Sequence, residues 1–318
     1  MSRPGLTLGI GTGALVAAAM WLSGAFDPTS VPPFWASREQ MVSLAIAYPA
    51  LFGYLVGMAV FAAQRSQQYL NALRPIFTPD ADVVAGRLNR LPRLNIWMAT
   101  FAGILIGFLN IDVLTVLGLR DTPANAVDLG LAGASMMIWI VVVRFTYLLV
   151  HNARVFSQLG ARHTRVDLYR RATLRPFAQT GILYLLIIMG ALALTPLQAL
   201  DAALRAENYS WALAIGVPAA IILPLLTMSG IRKATLAAKR ADLEQLDAAI
   251  AAASRALDAA ETQRLNALLD RRAYVNEQHG WPMDLRTVSR AAFYVVIPPL
   301  AWVGAALVER AVEAFIGS

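Results

Sequence analysis

The chain contains no cysteine, which excludes disulfides, thiolate–metal sites and a catalytic thiol, and leaves no mark of redox compartment. Histidine is nearly as scarce: His151, His163 and His279 lie far apart without paired metal-ligand spacing, so no metal site is expected. Charge is short too, at 15% of 318 residues against 58% hydrophobic. With a mean hydropathy of +0.55, too little polar surface is available to cover a soluble domain of this size, and a membrane protein is implied. Walker loops, nucleophile elbows, kinase signatures and zinc-protease motifs are all missing, and the last apolar run carries no lysine for a retinal Schiff base. The expectation is a non-enzyme with no cofactor and no catalytic residues.

What is abundant is apolar sequence in runs long enough to cross about 30 Å of hydrocarbon. Seven occur, near 5–26, 41–63, 95–119, 129–150, 178–197, 211–230 and 291–308. The fold class that follows is all-α, a polytopic protein with about seven transmembrane helices. The first run, preceded by Arg3 and followed by Ser23-Gly24-Ala25, reads as an uncleaved signal anchor.

Basic residues cluster on one side of these runs. Arg3, five residues between 64 and 94, six between 151 and 177 and ten between 231 and 290 share that side, twenty-two of the 27. The other side holds only Arg38, Arg120, Arg205 and Arg310, so the positive-inside rule places the N-terminus in the cytoplasm and the C-terminus outside, in a cell (inner) membrane. The basic balance thus reports orientation, and nucleic-acid binding is not expected. The outer segments carry Asp27, Glu39, Asp121, Asp128, Asp201, Glu207, Glu309 and Glu313, an acidic excess that could concentrate cations.

The chain divides into transmembrane helices 1–6 over 1–230, a cytoplasmic segment over 231–284, and a final helix with an external C-terminus over 285–318. In the cytoplasmic segment Leu236, Leu243, Ile250 and Leu257 recur every seven residues, with Leu246, Ala253 and Ala260 in the alternate seam. Because the chain must leave the membrane and return, this stripe predicts a helical hairpin with a turn near 256–262 and a return helix over 262–278. Between 64 and 94, Thr78-Pro-Asp-Ala-Asp predicts a capped start to a short amphipathic helix at the membrane surface. The basic 151–177 segment reads as an extension of the fourth span that turns near Gly160 and contacts lipid headgroups.

Within the membrane, Gly9–Gly13, Gly53–Gly57 and Gly103–Gly107 space small residues four apart and predict helix-packing seams. Pro49, Pro218 and Pro224 can kink their helices. The stretch Phe108-Leu-Asn-Ile-Asp-Val-Leu-Thr puts Asn110, Asp112 and Thr115 inside the third span, and Arg144 sits inside the fourth. Side chains lean toward their helix N-terminus, so Asp112 and Arg144 on antiparallel neighbours lean toward each other. Three readings stay open: a structural pair, Arg144 reaching the cytoplasmic interface beside Tyr147 and His151, and Asp112 facing a hydrated cation path.

This order of elements resembles the insect odorant- and gustatory-receptor-type ligand-gated cation channels: seven helices, an internal N-terminus, an external C-terminus and a cytoplasmic helical segment between the last two spans. The resemblance implies a tetramer anchored by the cytoplasmic helices, with the last span, 291–308, lining a pore. The expected function is an oligomeric channel-like protein conducting cations or small solutes. The alternative is a non-conducting membrane sensor or scaffold whose hairpin docks a cytoplasmic protein. Expected partners are the lipid bilayer, further copies of the chain, or that protein.

Overall fold

The computed structural model describes residues 3–32, 37–109, 125–195, 197, 210–255, 259–278, 281, 289 and 293. Among these residues the fold is all-helical, with eight α-helices and no strand. They are α1 (Arg3–Leu22), α2 (Arg38–Leu73), α3 (Ala81–Ala85), α4 (Arg93–Leu109), α5 (Ala126–Arg162), α6 (Arg175–Leu194), α7 (Ser210–Ala253) and α8 (Ala259–Glu277). Five of them, α1, α2, α5, α6 and α7, are long and apolar enough to cross a membrane, and α4 is a shorter apolar helix. The seventh expected span lies outside the described residues apart from Phe293, as does the continuation of the third beyond Leu109.

Helix direction follows from which residues meet. A Cβ built on Gly9 would stand 2.7 Å from the Gly53 carbonyl and 3.2 Å from Gly57 Cα, and one on Gly13 would stand 3.0 Å from the Pro49 carbonyl. The first two small-residue seams therefore pack against each other, antiparallel, with backbones in contact because neither side has a side chain to intervene. The third seam, on α4, packs on α5: Gly103 against Ile140 and Gly107 against Met136, again antiparallel. Gly181 of α6 receives Pro224 of α7, with Cβ-to-Cα distance 3.1 Å, so that proline fills a notch within a helix that continues past it. Ser157 and Ser229 hydrogen-bond at 2.8 Å where α5 and α7 cross, running the same way, with Gly160 on Ile231 and Gly230 on the Ser157 carbonyl. Successive long helices thus alternate in direction. The arginine-rich connections 64–94 and 151–177 and the polar half of α7 all gather at one end, here the basic end.

Two large apolar clusters, with a small one between α6 and α7 around Leu185, Met189 and Ala220, fill the bundle. The larger joins α1, α2, α5 and α6 around Met20, Met41, Leu131, Tyr184 and Ile187. The second sits at the basic end, where Leu70, Leu73, Phe156, Leu159 and Phe177 pack with Ala81, Ala85 and Leu88 of the α3 segment. Phe156 and Phe177 meet edge to face there, centroids 6.1 Å apart.

Several boundaries differ from the sequence expectation. The first apolar run ends as a helix at Leu22, because Gly24 takes φ +85° and turns the chain back, a backbone state that glycine adopts without strain. Helix α2 runs ten residues past its apolar stretch to Leu73, since Gln-Arg-Ser-Gln-Gln-Tyr-Leu-Asn-Ala-Leu keeps helical propensity after hydropathy falls. Helix α3 starts at Ala81 with Asp80 preceding it, so Thr78 is not its cap. The Thr78 N–H is instead donated to the His163 carbonyl at 2.9 Å, and Arg165 N–H to the Ile76 carbonyl at 2.8 Å, which fastens 76–78 to the end of α5.

Candidate functional site

The basic end carries two groups of polar contacts that tie its connections to the bundle. The first centres on Asn152, fully buried five residues before the Ser157 crossing. Its Oδ1 accepts from the Asn89 N–H at 2.9 Å and its Nδ2 donates to Asn89 Oδ1 at 2.7 Å. Asn89 Nδ2 donates in turn to the Ala63 carbonyl of α2 at 3.1 Å. Asn89 has φ 61°, the left-handed state that asparagine tolerates better than most side chains, and this places both its amide and its N–H toward α5. Beside it, His151 Nε2 lies 3.0 Å from the Arg87 carbonyl. Buried Ser66 and Tyr184 share a hydrogen bond of 2.9 Å, with Asn152 next to them. The α3–α4 connection is thus hooked into α2 and α5 through a satisfied polar cluster, and any one partner removed would strand another.

The second group joins the polar half of α7 to α8 and to the α5–α6 connection. Lys239 Nζ donates to the carbonyls of Asn276 and Gln278 at the end of α8, at 2.6 and 3.0 Å. Arg271 pairs with Asp242 at 3.4 Å and Arg272 with Asp247 at 2.5 Å. Lys239, fourteen residues before the end of α7, meets the last residues of α8, and only five residues join the two helices, so α8 returns antiparallel along α7. The hydrogen bond and charge of Asp247 push the Arg272 guanidinium above its ordinary value, in an exposed setting that adds little to stability. Tyr169, from the α5–α6 connection, is clasped between the two helices. It stacks on Tyr274 at 5.9 Å, accepts from Arg271 Nε at 2.7 Å, and donates to Asp242 at 3.4 Å. Leu168 lies beneath it against Leu246 and Val275.

The stripe residues are placed as follows. Leu246 is buried, at 4% exposure, and Ala253 in the same alternate seam is buried too. Leu236, Leu243 and Ile250 are only half-buried, so the covered line lies one helical step from the stripe they form. Leu257 lies outside the described residues. Of the intramembrane candidates, Asn110, Asp112 and Thr115 also lie outside them, while Arg144 is exposed and joins no ion pair among the described residues. The Gly103–Ile140 and Gly107–Met136 contacts set Arg144 level with Ala99, six residues into α4. Leu109, the last described residue of α4, stands about 15 Å away along the axis, at ~1.5 Å per residue. Tyr147 and His151 follow Arg144 on α5 toward the basic end.

At the opposite end, Asn125 and Asp128 form a capping box at the start of α5, with Asp128 N–H donated to Asn125 Oδ1 at 2.8 Å and Asn125 N–H to Asp128 Oδ2 at 2.9 Å. Asp128 Oδ1 is buried without a hydrogen-bond partner among the described residues. Asp27 accepts from the Thr29 N–H and hydroxyl, which hold its carboxyl below the usual range, and the carbonyls of Asp27 and Pro28 receive Arg38.

Sequence reasoning missed the Asn89–Asn152 hook and the Tyr169 clasp. The available signals were an amide directly after the apolar run of α5, and an isolated tyrosine between arginines facing a segment rich in both charges. The chain matches no known family model, curated protein or solved structure. The functional reading rests on the geometry alone.

Proposed function

We propose that this is an integral membrane protein with a cytoplasmic N-terminus and external C-terminus, acting as a non-conducting sensor or scaffold. Its α7–α8 unit is a cytoplasmic helical hairpin that presents a docking face to another protein. The observation that carries this reading is the continuity of α7. A single 44-residue helix runs from an apolar segment into the polar arm. Both prolines inside α7, Pro218 and Pro224, lie in its apolar part, and from Leu225 to Ala253 the helix runs on without another, so a tilt or rotation at the Gly181–Pro224 contact is transmitted to the arm. Lys239, the Asp242–Arg271 and Asp247–Arg272 pairs and the Tyr169 clasp support the same reading, since they brace the arm without covering the outer face of α8, where Leu269 is exposed.

Conduction is the rival reading, with the acidic outer residues Asp27 and Glu39 and Asp128 Oδ1, buried without a partner among the described residues, as its observations. One sample separates the two. The purified protein is weighed in detergent, reconstituted into vesicles and assayed for cation flux. The sensor or scaffold reading expects flux equal to empty vesicles. Flux that scales with protein and requires an oligomer would replace it with the channel reading.

A further inference from the structure

We propose that Arg144, together with the arginines of the α3–α4 connection, binds the phosphate of an anionic lipid at the rim of the α4–α5 crossing. The proposal rests on the membrane reading above and adds a ligand to it. Arg144 interrupts the run Val141-Val-Val-Arg-Phe-Thr-Tyr-Leu-Leu-Val150 and is exposed on the outside of the bundle. A guanidinium facing hydrocarbon persists only with a counter-charge or a path to the headgroups. No described acid supplies the first. Arg144 follows Ile140, the residue on which Gly103 packs, by four positions, about 40° around the helix. It therefore overhangs the seam where Ala99, small and buried, keeps α4 close.

The headgroup level is marked independently. The His151–Arg87 and Asn152–Asn89 contacts pin the α3–α4 connection at the point where the apolar run of α5 ends. Arg87, Arg90 and Arg93 are exposed there, and Trp97, one turn into α4, is 72% exposed, as suits an indole at the membrane interface. The acids of the segment are engaged elsewhere, Asp82 with Arg74 at 4.0 Å and Asp80 with His163 at 3.9 Å. Arg144 stands about 9 Å along the axis inside Arg93, six residues at helical rise, a gap that its long side chain largely spans toward the three arginines at the headgroup level, and no described carboxylate pairs with it. A guanidinium presents paired N–H donors that match phosphate oxygens, and the joint positive charge selects a lipid of net negative charge over a zwitterion.

The test uses the full chain in vesicles of phosphatidylcholine alone and in an equal mixture with phosphatidylglycerol. Co-flotation with both vesicle types checks the membrane reading, and failure to float would overturn that reading as well. The thermal midpoint is then compared between the two lipids for the wild type, Arg144→Gln and Arg144→Lys. The expected result is a higher midpoint with phosphatidylglycerol, lost in Arg144→Gln and partly kept in Arg144→Lys, with helicity unchanged. Should Arg144→Gln unfold, a spin-labelled phosphatidylglycerol quenching Trp97 fluorescence in Arg87→Gln/Arg93→Gln, with the other six tryptophans replaced by phenylalanine, supplies the readout, with reduced quenching expected against the same background without the arginine changes. An equal midpoint in both lipids, an unaltered lipid shift in Arg144→Gln, or quenching unchanged in the double variant would overturn the proposal. So would a lipid shift that appears only in an Asp112→Asn variant, since Arg144 would then have its partner within the chain.

Discussion

Gly9 and Gly11 stand two residues apart on α1 and should answer the same substitution with opposite signs. A methyl on Gly9 would lie 2.7 Å from the Gly53 carbonyl oxygen and 3.2 Å from Gly57 Cα, both backbone atoms that cannot swing aside. Ordinary contact begins near 3.4 Å, so α1 must withdraw from α2 by about 0.7 Å or tilt away. Overpacking of this kind costs roughly 1–3 kcal/mol. A methyl on Gly11 meets nothing within 4 Å, and Gly11→Ala should stabilise the helix by about 0.5–1 kcal/mol. The two variants should therefore differ by roughly 1.5–4 kcal/mol, within one helix and with one chemistry. Thermal unfolding in a single detergent, followed by far-UV circular dichroism, should place Gly9→Ala below the wild type and Gly11→Ala at or above it. Equal midpoints for the two variants would refute the seam as a close backbone contact.

Three further outcomes follow from the basic end. Asn152→Leu should cost about 1–3 kcal/mol by stranding the Asn89 N–H and amide, and hydrogen exchange at residues 86–92 should rise with it; unchanged exchange would contradict the hook. Asn89→Ala should be worse than Asn89→Gly by about 1 kcal/mol in the same unfolding assay, because alanine resists φ 61°, and equal losses would mean that the turn relaxes. Leu246→Asp should free α8 to proteases by placing a charge against Leu168 and Val275, whereas Ile250→Asp, half-exposed, should leave digestion near wild type; the reverse order would move the covered seam back to the heptad stripe.

The small-residue seams were legible in the sequence because a spacing of four is local and needs no knowledge of the partner helix. Which seam meets which was not, since Gly9 and Gly53 are joined by topology alone. The arm was legible as a stripe, but the covered line was not. A seven-residue repeat drifts by about 20° per heptad on a straight helix, and the line covered by Leu168 and Val275 runs through Leu246, with Leu243 only at its edge. Helix ends were misjudged wherever hydropathy and helicity part company, as at Gln64–Leu73, which is polar yet helical. The Asn89–Asn152 hook brings together residues 63 apart whose side chains follow no repeat, so no periodicity could announce it.

The central claim, that the basic end with its α7–α8 arm faces the cytoplasm, is open to a labelling experiment without background because the chain has no cysteine of its own. Val31, between α1 and α2 at the opposite end, and Asn266, on the exposed side of α8, are each replaced by cysteine in separate variants. A membrane-impermeant maleimide applied to intact cells, stripped of any outer barrier, should label Val31→Cys at once and Asn266→Cys only after permeabilisation. Labelling of Asn266→Cys in intact cells, with Val31→Cys protected, would invert the protein in the membrane and contradict the account.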